Sequence, residues 1–199
     1  MKILLIGAGG TIGSAIDKEL SQRHEIIRIG RTSGDFRVDI SDSASIRKLF
    51  AQTGKFDALV CAAGNVTFAP LNEMTEESFA LGLKDKLMGQ VNLLLIGREF
   101  ANDGASFTFT TGVLSHDPIY SGASAALVNG ALDSFVRAAA IELPRGLRVN
   151  SISPNVLVEA MGKYAPYFRG FKPVPAADVA LAYAKSVEGL QTGQTFQVG

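Results

Sequence analysis

The chain has 199 residues, 47% of them hydrophobic, and 19 Lys plus Arg balance 19 Asp plus Glu, so the formal net charge is zero. That composition predicts one domain of ordinary size with a sizeable core. It lacks the basic surplus of a nucleic-acid binder, and its single cysteine excludes an intrachain disulfide, so any phosphate contact must be local, through backbone amides or one or two arginines.

The opening run KILLIG (2–7) reads as a buried strand. It is too short for a signal-peptide core or a membrane span, and with the lone Cys61 it sets the expectation of a cytoplasmic protein that does not engage membranes. LLIGAGGTIG (4–13) follows that strand and opens a helix from Thr11 to Arg23, marked by Ile12, Ala15, Ile16 and Leu20 at helical spacing. Its glycines serve different ends. Gly7 permits the tight turn, Gly9 and Gly10 let a pyrophosphate approach the backbone, and Gly13 lets the helix pack on the sheet. The first helical residues, Thr11 and Ile12 among them, then offer free N–H groups and a favourable dipole to an anion. Strand before and helix after make this a dinucleotide-binding turn.

EIIRIG (25–30) is the second strand, and Arg31 follows it with Thr32 and Ser33. An NAD site places an acidic residue in this region for the ribose 2′-hydroxyl. A guanidinium and hydroxyls suit a 2′-phosphate instead, so the expected cofactor is NADP, with NAD less favoured. DFRVDI (35–40) reads as a short third strand. Ser43 to Gln52 is a helix with Ser41 or Ser43 as its cap. FDALVCAAG (56–64) is the fourth strand and buries Cys61. Thr75 to Asn102 reads as one long helix opened by a capping-box-like TEES, ASFTFTTG (105–112) as the fifth strand, and Ser121 to Leu143 as a second long helix. GLRVNSISP (146–154), a helix from Pro175 to Glu188 and QTFQVG (194–199) complete the pattern. The loop 157–174 carries Met161, Tyr164, Tyr167, Phe168 and Phe171, and reads either as a cover over a ligand or as an irregular segment packed on the core.

Apolar strands alternating with helices predict an α/β fold: a Rossmann-type, doubly wound, parallel seven-stranded sheet in three layers, one domain over 1–199. The long helices 75–102 and 121–143 are rich in Ala, Gly and Leu, which permits close helix approach. Neither a clustered metal site nor a G-x-S-x-G nucleophile motif is present.

Several segments together resemble the short-chain dehydrogenase/reductase family. VDI (38–40) is similar to its Asp-hydrophobic pair, CAAG (61–64) to its Asn-Asn-Ala-Gly, RVNSISPN (148–155) to its RVNxIxPG and TGQTFQVG to its final strand. The resemblance implies that Asp39 and Ile40 touch the adenine, that Ala62, Ala63 and Gly64 line the cofactor, and that Pro154 and Val156 lie near the nicotinamide. Asn155 stands where the family has glycine. The resemblance also implies a homodimer or homotetramer built through the helices 75–102 and 121–143.

The active-site pattern departs from the family. Its Tyr-x-x-x-Lys falls on Ala125 and Asn129 when the frame is carried back from GALDSFVRAAAIELPRGLRVN (130–150). Alanine has no proton to give and an amide does not titrate. The serine position falls at Thr111 or Gly112, and Lys86 takes the place of the family's asparagine. The catalytic candidates are therefore Lys86, Thr111 and Asn129. A shifted frame using Tyr120 and a loop acid/base at His116 are the competing arrangements. Two functions stay open: an NADP-linked oxidoreductase acting on a small carbonyl or hydroxyl substrate, and a catalytically inactive NADP(H)-binding redox sensor.

Overall fold

The computed structural model describes residues 1–199. Its strands are β1 (Lys2–Ile6), β2 (Glu25–Gly30), β3 (Phe36–Arg37), β4 (Phe56–Cys61), β5 (Ala101–Thr110), β6 (Arg148–Pro154) and β7 (Thr195–Val198). They form one parallel sheet in the order β3-β2-β1-β4-β5-β6-β7. The helices are α1 (Thr11–Leu20), α2 (Ser43–Thr53), α3 (Glu76–Gly82), α4 (Met88–Gly97), α5 (Ala123–Glu142), α6 (Met161–Tyr164) and α7 (Ala176–Glu188). This is the expected Rossmann-type fold.

Both faces of the sheet are covered, which is why its central strands are apolar throughout. In β1, Leu4 and Ile6 face one core with Phe107, Phe109 and Leu132, while Ile3 and Leu5 face the other with Ile16, Val179 and Tyr183. The period of two in each strand thus feeds two separate clusters. α2, α4 and α5 cover the first, and α1 and α7 the second. The sheet order reverses between β1 and β4, so the connections that leave their carboxyl ends run in opposite directions and leave a crevice between them.

Three local readings need correction. The helix expected over 75–102 is broken. After α3 comes one wide π-type turn, Leu83–Leu87, then α4 to Gly97, and Ala101 and Asn102 already belong to β5. Ala101 pairs with Phe56 across the sheet, so strand pairing outweighs helical pattern at that end. The strand expected over 35–40 holds only Phe36 and Arg37, because the Asp39 N–H leaves the ladder and donates to Ser45 Oγ at 3.0 Å. The cap of α2 is Asp42, which accepts from the Ala44 N–H at 2.9 Å; Ser41 turns instead to the Asp39 carboxylate.

The turn after β1 leaves no room for a side chain. Gly7 has φ of +86°, and a Cβ there would lie 2.6 Å from the Ala62 carbonyl oxygen. Left-handed strain of about 1–2 kcal/mol adds to overpacking of about 1–3 kcal/mol. Gly7→Ala is expected to lower unfolding free energy by at least about 2 kcal/mol, read from urea denaturation without nucleotide; an unchanged midpoint would refute the steric account.

Candidate active site

The crevice is built from the turn after β1 outward. α1 has no side-chain cap, so the N–H groups of its first turn, Thr11 to Gly13, are free for an anion. Gly9, Gly10 and Thr11 are exposed there, and Gly13 is buried against the Gly7 backbone.

One cleft of about 350 Å³ gathers Ile12, Ala62, Ala63, Gly64, Pro154 and Val156 with all three catalytic candidates, Lys86, Thr111 and Asn129. A second, of about 260 Å³, adjoins it and is lined by Gly7, Arg31, Ile40, Ala63, Gly64 and Asp85. Arg31 and Asp39 meet at the outer end, with Arg31 Nη2 3.3 Å from Asp39 Oδ1. Thr32 is exposed and lies outside these clefts. Residues separated by more than a hundred positions therefore share one trough. Its uncapped helix start, its Gly7 cradle and its unpaired Asp85 oxygen fit a dinucleotide.

The floor of the larger cleft comes from the π-type turn. A Cβ at Gly64 would lie 2.8 to 2.9 Å from Lys86 Cα, Cβ and Cγ, so only glycine lets the turn close onto β4. Lys86 Nζ donates to the Thr111 carbonyl at 3.3 Å. Burial lowers its pKa from 10.5 to about 8, partly offset by the negative charge of Asp133. Gln90, fully buried, clamps this arrangement: Nε2 donates to the Lys86 and Thr110 carbonyls, and Oε1 accepts from the Thr110 N–H.

The other candidates are positioned differently. The Thr111 hydroxyl donates to the Ile152 carbonyl at 3.3 Å, so it is turned toward β6. Asn129 is buried; Nδ2 donates to the Gly112 carbonyl at 3.5 Å, while Oδ1 has no donor. Ala125 lines the cleft and Tyr120 does not: its side chain is exposed beside Phe68 and Tyr167 in a neighbouring groove. His116 Nδ1 lies 3.3 Å from Ser115 Oγ, outside the cleft. Cys61 is buried, with its thiol pushed up to about 12 by desolvation, which makes it a core residue.

The loop 157–174 does cover the cleft. Tyr164 and Phe168 line it, and Phe168 packs edge-on to Phe171 at 5.2 Å. Phe68, Val113 and Leu114 complete an apolar wall. Nothing in the local sequence pattern marks these three, or Asp85, as site residues. The run LKDKL reads as a solvated stretch of charges, and only the π-type turn directs Asp85 inward, where it is 4% exposed. Oδ2 of Asp85 accepts from Asn65 Nδ2 at 2.6 Å and lies 3.8 Å from Arg31 Nη2; Oδ1 has no donor. The Asp39 carboxyl is held below its ordinary range by the hydroxyl and N–H of Ser41, with Arg31 adding to the effect.

The family described as enoyl-(acyl carrier protein) reductase matches the chain over residues 10–196. L-xylulose reductase of Bos taurus is 26% identical over 188 residues, spanning 82% of this chain and 75% of that protein. The crystal structure of the protein lin1944 from Listeria innocua superposes with a TM-score of 0.99 at 54% identity, covering 100% of both chains. A small-chain dehydrogenase crystallised in complex with NADPH gives a TM-score of 0.88 at 25% identity, covering 100% of this chain and 96% of that one.

The lowered pKa of Lys86 has a measurable consequence. Between pH 8 and 10.5 the unfolded chain holds a proton here that the folded chain has lost, so stability rises with pH across that window. Below pH 8 both states are protonated and the full cost of burying the charge is present. Wild type should gain on Lys86→Met between those limits in parallel urea titrations; a constant difference would show that Lys86 titrates normally.

Proposed function

This chain belongs to the short-chain dehydrogenase/reductase family, and from that premise we propose that it is an NADP(H)-dependent oxidoreductase acting on a small carbonyl or hydroxyl compound. The observation that carries the reading is the single trough joining an uncapped helix start and an arginine-lined outer end to an apolar pocket floored by Lys86. The Bos taurus relative bears the name of a reductase, and the solved dehydrogenase named above holds NADPH, which supports the same reading.

When bound, a nicotinamide would supply hydride chemistry at the substrate carbon in either direction. Gly7 and the first turn of α1 hold the diphosphate. Arg31 leaves its contact with Asp39 to pair with the 2′-phosphate. Phe68, Val113, Leu114, Tyr164 and Phe168 exclude water and hold the substrate's apolar part. Lys86 would give a proton to the carbonyl oxygen and regain one from solvent, taking the role that a tyrosine at position 125 has in the resembled pattern. A pKa of about 8 leaves the ammonium mostly protonated at neutral pH while easing transfer. The tied Thr111 hydroxyl and the alanine at 125 are what favour the second reading, an inactive NADP(H)-binding sensor.

Fluorescence titration with NADPH and NADH, followed by a screen of carbonyl compounds for NADPH oxidation, separates these readings. Arg31→Ala should weaken NADPH roughly 10- to 100-fold and leave NADH nearly unchanged, the worth of a charge-assisted contact. Reduction should fall as pH rises through about 8, and Lys86→Met should lower turnover about 10²- to 10⁴-fold with NADPH affinity retained. Tight NADPH binding with no turnover on any carbonyl would establish the sensor; no binding of either nucleotide would defeat both readings.

The proposal extends to assembly. Leu81, Met88 and Leu95 on α3 and α4, and Leu127 on α5, are exposed apolar side chains on the two helical segments expected to pair with a second copy. Sedimentation velocity at micromolar concentration should give a dimer or tetramer, and Leu95→Glu with Leu127→Glu should dissociate it; a monomeric wild type would end the idea.

A further inference from the structure

We propose that Lys86 captures small uncharged aldehydes and ketones covalently, its side-chain amine condensing with the carbonyl carbon to form an imine inside the apolar cleft. The activity needs no nucleotide, so it goes beyond the NADP(H) reading and is independent of it. The Lys86 stem packs against Gly64, just past β4, and its head reaches the carbonyl of Thr111, just past β5. Gly64, Thr111 and Lys86 all line the same cleft, and Lys86 itself is half-buried. An ammonium carries three donors. Here only one has an acceptor in the chain, at the long distance of 3.3 Å, and no carboxylate lies within salt-bridge distance. Around the head stand Val66, Phe68, Val113, Leu114 and Phe168. A charge so placed has lost water and gained little in return, which favours the neutral amine.

Desolvation accordingly lowers the Lys86 pKa to about 8. At neutral pH the free amine is then on the order of 10²-fold more abundant than at an ordinary lysine. Lysines desolvated in this way are the ones that form Schiff bases with carbonyl compounds. The same head acts as an acid when protonated and as a nucleophile when not. The neutral nitrogen attacks the carbonyl carbon, an N–C bond forms, and one proton passes from nitrogen to oxygen. The C–O bond of this carbinolamine then breaks, the second nitrogen proton departs with the oxygen as water, and a C=N bond remains. No oxidant or reductant is consumed. Apolar walls that exclude water favour its expulsion. They also set the class of compound. Lys86 is the sole charged residue lining the cleft, so a carboxylate on the ligand would pair with the ammonium and keep the nitrogen from attacking. A short uncharged chain has no such effect and suits the walls.

The test treats the full chain, without nucleotide, with butanal and cyanoborohydride at neutral pH, which reduces an imine to a stable secondary amine. Peptide mass spectrometry then follows butyl label at each lysine over time. Lys86 should be labelled at least about tenfold faster than the exposed Lys18 and Lys48, and the preference should vanish in urea. Any smaller ratio would overturn the proposal. So would a preference that survives in urea, which would make it a property of the local sequence and not of the cleft. Because no nucleotide enters the readout, the two readings fail separately. A chain that binds neither NADPH nor NADH but labels Lys86 keeps this activity and loses the cofactor, and one that binds NADPH while Lys86 is spared does the reverse.

Discussion

The contact between Gly64 and the backbone of Lys86 sets the geometry of everything at the carboxyl end of the sheet. The chain leaves β4, passes Gly64 at φ of +134°, and meets the helical segment that returns across the crevice. No atom lies between the two backbones where a Cβ would sit. This approach brings the π-type turn down over the crevice between β1 and β4, and two charged neighbours are placed by it. Lys86 lines the apolar cleft and Asp85 the smaller cleft beside it. π-type turns are rare and concentrate at functional sites, and here the reason is geometric.

A turn held so closely needs its polar groups satisfied, and the structure does this with buried amides. Gln90 makes three hydrogen bonds, two joining α4 to Thr110, the last residue of β5, and one to the Lys86 carbonyl of the π-type turn. On the opposite side of the sheet the Tyr183 hydroxyl meets Thr110 Oγ1, which itself donates to the Cys61 carbonyl. Thr110 is thus gripped from both faces, and its neighbour Thr111 presents a fixed carbonyl to Lys86. Beneath α5, Asp133 accepts from Ser151 and Thr195, tying the helix that carries Ala125 and Asn129 to β6 and β7. Each net contribution is about 1 kcal/mol, but losing one partner leaves a buried group unpaired, which costs more. The carboxyl end of the sheet is clamped by these side-chain bonds, while the covering loop is held mainly by aromatic packing and one bridge between Leu157 and Val174.

The electrostatics of the trough follow from the same placement. Arg31 lies between Asp39 and Asp85, so its positive charge is already shared before any phosphate arrives. Under the proposed NADP(H) reading, selectivity for a 2′-phosphate would depend on an exchange of partners, not on a free cation awaiting one. Lys86 has no carboxylate within salt-bridge distance, and its charge is held among apolar walls. That environment explains why Lys86 acquires a lowered pKa.

Much of this was legible in the residues themselves. Apolar runs such as KILLI and FDALVC are continuous because strands buried on both faces have no solvent side, and a parallel sheet follows from their alternation with helices. Gly7 and Gly13 announce a turn at a helix start, because Gly7 has positive φ and neither position has room for a Cβ. Local period and local sterics carry these conclusions, so no tertiary information was required. The break of the 75–102 segment, the inward turn of Asp85 and the burial of Lys86 were decided elsewhere. They depend on Gly64, distant in sequence from the turn, and on strand pairing between Ala101 and Phe56. In one dimension LKDKL is a solvated charge run; its meaning changes only when the sheet brings a glycine beneath it.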